Sequence, residues 1–171
     1  MDLFNEFIVQ RRKGSREHGL IVLMFLGAML LIFTLMMFAQ NLGSFFLLLV
    51  AAVIYLLYIG VTSFNVEYEY SVTNGDLDID KIVSRRKRSK LVSIHARSFE
   101  YFAPCNDGHK AAYDDATVTK KLDLTSNSGT GREYFAIYFK NSEKVRVAFE
   151  PTQKMIDDFA RYVPRRVFHT Q

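Results

Sequence analysis

Two long runs without a charged side chain fill most of the first third of the chain: "GLIVLMFLGAMLLIFTLMMFA" at residues 19–39 and "FFLLLVAAVIYLLYIGVTSF" at residues 45–64. Each has about the length a helix needs to cross the roughly 30 Å hydrocarbon layer of a bilayer. Neither shows the polar stripe of a helix packed on a soluble core. A signal peptide has an apolar stretch of only about 7 to 15 residues, so the pattern predicts a retained span and not a cleaved leader. The short polar break "QNLGS" at residues 40–44 joins the two runs into a tight helical hairpin.

After Asn65 the apolar period changes to two. In "VEYEYSVTNGDLDID", Val66, Tyr68, Tyr70 and Val72 alternate with Glu67, Glu69 and Ser71, and Leu77 and Ile79 resume the alternation after Asn74-Gly75. This predicts two antiparallel strands joined by a tight turn. "KLVSIHARSFEYFA" predicts a third long strand closed by Pro104, and "PCNDGHKAAYDDA" an irregular loop. "TVTKKLDLTS" and "REYFAIYFK", separated by "NSGTG", predict another hairpin, followed by a last strand in "KVRVAFE". Met155, Ile156, Phe159, Tyr162 and Val163 then recur at helical spacing between Thr152, an N-cap candidate, and Pro164.

The expected fold class is an α+β membrane protein: a two-helix transmembrane hairpin, then an antiparallel β-barrel or sandwich of about six strands in a meander, closed by a C-terminal amphipathic helix. The expected boundaries are a basic N-terminal segment at 1–18, spans at 19–39 and 45–64 with an external turn at 40–44, and a cytoplasmic β domain at 65–171 with its helix at 152–163.

Charge gives the hairpin a direction. The 22 Lys and Arg against 18 Asp and Glu make the chain mildly basic. Arg11, Arg12, Lys13 and Arg16 precede the first run and a basic cluster follows the second, whereas residues 40–44 carry no charge. Cations stay on the cytoplasmic side, so both termini are expected there. The single cysteine, Cys105, lacks a disulfide partner and suits a reducing compartment.

With these residues in view, the chain resembles the bacterial pleckstrin-homology-like (PH-like) membrane proteins, and more narrowly a family of small two-span membrane proteins of Firmicutes and related bacteria. "VEYEYSVTNGDLDIDKI", "RRKR" and "VRVAFEP" carry the similarity. The resemblance implies a PH-like β domain with a C-terminal helix. The strand count falls one short of that fold, and the tight first hairpin lacks the long basic loop with which eukaryotic relatives grip phosphoinositides. Inositide recognition is therefore not carried over.

The strongest candidate site is "SRRKRSK", with Arg85, Arg86, Lys87, Arg88 and Lys90 in a window of seven. Close to an anionic leaflet each cation gains about 1 kcal/mol. The plainer reading is a solvated turn between strands. A nucleic-acid tether would need an aromatic platform or recognition helix as well. Asp76, Asp78 and Asp80 share a strand face, but Lys81 and Lys87 stand where a calcium loop requires its glycine and glutamate, so cross-strand pairing with Arg and Lys is expected instead.

Cys105 and His109 could form half a zinc site, yet His95 and His169 are isolated and no second pair follows. A nucleophile arrangement of Cys105 with His95 or His109 and Asp114 or Asp115 lacks any supporting local motif. No catalytic residue, metal or cofactor is expected. Gly27-Ala28 and Ala51-Ala52 permit close helix contact and self-association. The expected function is a non-enzymatic binding or scaffolding module at the membrane, contacting anionic lipid and a protein partner. The alternatives are a membrane-bound enzyme with its site at residues 105–115, or a nucleic-acid tether.

Overall fold

The computed structural model describes residues 4–164 and 166–168. The chain forms two compact units, one holding residues up to Arg12, Glu67–Ile82 and those from Arg86 onward, the other Lys13–Val66 with Val83–Arg85.

The second unit is a helical hairpin. Helix α1 (Ser15–Met37) and helix α3 (Phe45–Ser63) are joined through one helical turn, α2 (Ala39–Leu42). Both long helices are apolar enough to cross a membrane. None of their residues is buried, and Leu23, Met29 and Leu47 keep 64%, 69% and 73% of their surface open. In water that surface would be a large apolar patch; hydrocarbon is the solvent it fits.

Helix α1 begins four residues before the apolar run. Its first turn carries Glu17, whose carboxylate accepts the Gly14 N–H at 2.7 Å and satisfies one orphan donor of the helix start. Hydroxyls inside the helices bond to their own backbone: Thr34 donates to the Leu30 carbonyl at 2.9 Å and Thr62 to the Tyr58 carbonyl at 2.8 Å. The helices run antiparallel. Met24 of α1 lies against Gly60 of α3, where a side chain on Gly60 would overlap the Met24 methyl. Gly27, Ala28 and Leu31 face Val53, Leu56 and Leu57 across the same seam.

The first unit begins with a strand where a basic tail was expected. Strand β1 (Phe4–Gln10) pairs antiparallel with β2 (Val66–Thr73), from Phe4↔Thr73 to Gln10↔Glu67. It is one of two strands beyond the six expected from sequence, the other arising where the expected third strand divides. The β domain is therefore not the continuous segment 65–171, and the helical hairpin is an insertion between two neighbouring strands. The period-two signal was hidden because "FNEFIVQ" has apolar residues on both faces: Phe7 and Val9 turn inward, while Phe4 and Ile8 are 60% and 50% exposed.

Strands β3 (Asp76–Val83) and β4 (Lys87–His95) complete a four-stranded sheet in the order β1-β2-β3-β4. The expected third strand is in fact two. A 3-10 turn at Ala96–Ser98, in which His95 Nδ1 accepts the Arg97 N–H at 3.0 Å, passes the chain to a second sheet. That sheet has the order β5-β7-β8-β6, with β5 (Phe99–Pro104), β6 (Lys120–Asp123), β7 (Tyr134–Lys140) and β8 (Glu143–Phe149). The expected hairpin across "NSGTG" does not form. β7 has both edges taken by β5 and β8, so β6 joins the remaining edge of β8, running parallel from Lys120↔Val145 to Asp123↔Ala148. The meander is broken there.

The core between the sheets holds Tyr70, Leu77, Ile79, Phe99, Phe102 and Phe149. Helix α5 (Gln153–Tyr162) closes it with Met155, Ile156 and Phe159, and the Thr152 hydroxyl accepts the Met155 N–H at 3.4 Å as an N-cap. The Phe159 ring meets Phe99 and Phe102 edge-on at 5.4 and 5.3 Å. At the β2–β3 turn Gly75 has a φ of 86°, and the Tyr162 ring lies so close that a Cβ would sit 2.7 Å from it. Any other residue there would be strained in backbone and would lift the end of α5. The buried Tyr70 hydroxyl donates to the Leu124 carbonyl at 2.6 Å.

Because β1 closes the first sheet, fragment 65–171 should melt without a cooperative transition, while a chain joining residues 4–12 to 66–171 through a short linker should melt cooperatively. Circular dichroism of the two proteins distinguishes these outcomes; cooperative melting of 65–171 alone would show that β1 is dispensable.

Candidate functional site

The basic run begins in the β3–β4 turn. Ser84 and Arg85 have φ angles of 54° and 55°, and two successive left-handed residues are a conformation that hairpins usually give to Asn-Gly. What holds these bulkier residues there is the end of α3. The Ser84 N–H donates to the Asn65 carbonyl at 2.8 Å and its hydroxyl to the Thr62 carbonyl at 2.5 Å. The Thr62 carbonyl also accepts the Asn65 N–H at 2.9 Å, so Ser84 joins the hydrogen-bonded turn that ends α3 and places the Arg85 backbone near the helix's negative pole.

The later members of the run have another role. The Arg88 guanidinium donates through Nε to Asp80 at 2.7 Å and through Nη2 to Glu69, which is only 7% exposed. Lys90 Nζ donates to Asp78 at 3.0 Å. Burial disfavours the Asp78 carboxylate, but hydrogen bonds from Ser93 and Lys90 outweigh that and hold it below the usual range. Asp78 and Asp80 of β3 thus meet cations of β4. Two of the five residues expected to contact lipid, Arg88 and Lys90, are engaged on the sheet face, and the exposed basic start of β4 also discourages pairing of this edge with other strands. Arg85, Arg86 and Lys87 remain grouped at the turn.

Of the cations expected to set topology, Lys13 lies just before α1 and Arg16 in its first turn. Arg11 and Arg12 follow β1, and the Arg12 N–H donates to the Ser126 carbonyl at 2.8 Å.

Residues 105–115 form a cover and not an open loop. A 3-10 turn at Asp107–His109 leads into α4 (Lys110–Tyr113), and Ala112 and Tyr113 pack on Ala103, Phe135, Ile137 and Ala148 of the second sheet. The Arg146 guanidinium lies 3.6 Å from the Tyr113 ring centre and donates to the Tyr113 carbonyl. His109 Nδ1 is 2.7 Å from the Tyr101 hydroxyl. Asp115 accepts the Thr117 N–H and hydroxyl at 2.8 Å and the Lys144 ammonium at 2.8 Å. Those bonds, that of Lys144 foremost, hold its carboxyl at about 2. Burial, with the Glu133 charge next, pushes the Cys105 thiol up to about 12.

A nucleophile needs the opposite shift, with a histidine and an orienting carboxylate in reach. Here His109 is engaged with Tyr101, Asp115 with Thr117 and Lys144, and the thiol is shifted away from the thiolate, so the arrangement weighed from sequence is not assembled. Among the described residues no group of three or more His, Cys, Asp and Glu could hold a metal ion. His169 lies outside the described residues.

Sequence reasoning missed a cleft of about 360 Å³ where Phe7, Arg132, Glu150 and the start of α5 meet. It joins segments far apart in the chain, one of them the unrecognised β1.

A family model described as "Bacterial PH-like domain (DUF6106)" matches residues 1–169. The chain belongs to this family. Neither the curated proteins nor the solved structures contain a significant match. In this PH-like protein the match starts before β1 and runs through the helical hairpin, so the insertion lies within the family's own extent. PH-like domains are typically non-catalytic, and family membership supports a binding module.

Replacing Arg88 by Met leaves the buried Glu69 charge without its partner and should cost about 2 kcal/mol in urea unfolding in mild detergent, whereas Lys90→Met, which removes an exposed pair, should cost less than about 1 kcal/mol. Equal losses would show that Glu69 does not depend on Arg88. Asp115 is depressed in the folded chain, so its stabilising effect is present above the ordinary carboxylate value of about 4 and is lost as pH falls through about 2. The difference in Tm between the native protein and Asp115→Asn should accordingly be present at neutral pH and vanish near pH 2, as read by thermal melts across that window.

Proposed function

We propose that this protein is a membrane-anchored, non-enzymatic PH-like module whose basic turn contacts anionic headgroups at the cytoplasmic face and whose β domain recognises a protein partner. The observation that carries the reading is the pair of hydrogen bonds from Ser84 to the Thr62 and Asn65 carbonyls. They tie the turn holding Arg85 to the end of the second apolar helix, where a bilayer's headgroups would lie if that helix crosses it. Antiparallel packing brings the start of α1, with Lys13 and Arg16, to the same end of the hairpin, while residues 38–44 at the other end carry no charge. The cation asymmetry supports a cytoplasmic position for that end and for both chain termini.

Insertion between paired strands supports the same arrangement. Gln10 and Glu67 are opposite each other in the β1–β2 ladder, so the chain must leave and return on one side, which two crossings satisfy and one would not. A nucleic-acid tether has less support, since Arg88 and Lys90 are held by carboxylates of their own sheet.

The test uses the full chain in neutral detergent, with phosphatidylglycerol or phosphatidylcholine added before thermal unfolding. Anionic lipid should raise the Tm at low salt, lose that effect at high salt, and have little effect on the Arg85→Gln, Arg86→Gln, Lys87→Gln variant. Equal stabilisation by both lipids, or an unchanged response in the variant, would remove the headgroup reading.

A further inference from the structure

β5 stands at the edge of the second sheet, and an edge strand leaves a row of backbone groups unpaired. Here the chain covers its own edge. After α5 it returns along β5, where the Phe102 N–H donates to the Arg166 carbonyl at 3.0 Å and the Phe168 N–H donates to the Phe102 carbonyl at 2.9 Å. The result is a one-residue parallel bridge between Phe102 and Val167. Side chains fit the segment to its seat: Val167 is 8% exposed, the Arg166 guanidinium donates to the Phe99 carbonyl at 2.7 Å, and the Phe168 ring lies 4.9 Å from Tyr101 and 5.0 Å from His109. A basic, an aliphatic and an aromatic residue in succession each have a place.

Among the described residues two backbone hydrogen bonds hold the tail, each of small net worth because water competes for the same groups, and Phe168 stays 38% exposed. β7 and β8, by comparison, pair from Tyr134↔Phe149 through Lys140↔Glu143. Among the described residues, the tail's backbone bonds fall at Phe102, in the middle of a six-residue strand. Such a contact persists because a short tether gives an effective concentration on the order of millimolar.

We propose that the β5 edge is a docking site for an extended peptide segment of a partner protein, bearing a basic-aliphatic-aromatic succession and running parallel to β5, and that Arg166-Val167-Phe168 keeps this site closed until displaced. Main-chain bonds to Phe102 supply affinity, and the Val167 seat, the Phe99 carbonyl and the Tyr101–His109 surface supply selectivity. The inference rests on the binding-module reading and is independent of lipid contact by the basic turn. A partner's peptide suits the site better than the tail of a second copy, because only residues 163–165 separate α5 from the bridged segment, a reach of about 10 Å. The free edge of β4 is less suited, because it begins with Lys87, Arg88 and Lys90.

The experiment measures fluorescence anisotropy of a labelled peptide "VPRRVFH" with the full chain in neutral detergent, free of anionic lipid. A control peptide carries Asp in place of Val. Val167→Asp and Phe168→Ala proteins should each bind the first peptide at least about tenfold more tightly than the native protein, and neither should bind the control. Equal binding by native and variant proteins, or no binding by variants whose cooperative melts show them folded, overturns the proposal. Hydrogen exchange gives a second reading: the Phe102 and Phe168 amides should exchange much faster than those joining β7 and β8, and equal protection would make the tail a permanent strand. A native dimer that Val167→Asp converts to monomer would assign the edge to a second copy and also overturn it. Because no anionic lipid is present, failure here leaves the headgroup reading standing.

Discussion

The pairing of β1 with β2 is the constraint on which the remaining structure depends. These strands are neighbours in the sheet but are separated in the chain by two long apolar helices, so the ladder from Phe4↔Thr73 to Gln10↔Glu67 holds together the two ends of the insertion. Closing so long a loop carries an entropic cost that grows only slowly with length, and the helical hairpin already brings its own ends close. β1 also supplies Val9 and Phe7 to the domain, the latter with its ring 6.4 Å from Tyr70. The β domain is therefore split in sequence by the helical hairpin and cannot be cut out as a contiguous piece.

The basic run divides along the same line. Five cations in seven residues would repel one another on a bare surface. Arg88 and Lys90 instead neutralise Glu69, Asp80 and Asp78 across the sheet, and the buried Glu69 gives Arg88 a structural role. Ser84, at the other end of the run, is bonded to the Thr62 and Asn65 carbonyls at the end of α3. One cluster thus fastens two different elements, and only part of it can serve a ligand.

On the second sheet, residues that suggested chemistry prove to be packing. Tyr101, His109, Tyr113 and Phe168 gather over β5 and β7 as an aromatic layer, with Arg146 stacked beneath Tyr113. Asp115 pins the layer's edge through Thr117 and Lys144. The chain's last described residues belong to this layer, and through them the edge of β5 is closed.

Much of the fold was legible in the residues alone. Charge-free runs long enough for a bilayer define α1 and α3, alternation around Asn74-Gly75 defines the β2–β3 hairpin, and Thr152 with the stripe from Met155 to Tyr162 defines α5, because each is a local pattern with a single physical solution. The cross-strand use of Asp78 and Asp80 was legible too, from opposite charges facing each other on adjacent strands. Tertiary structure alone decided the rest. β1 has apolar residues on both faces and shows itself only when β2 is there to pair with it. The break at Ala96–Ser98, the parallel placement of β6 on β8 and the return of Val167 to Phe102 depend on which strand edges the other strands leave open. No local pattern records that, since an edge is a property of the assembled sheet.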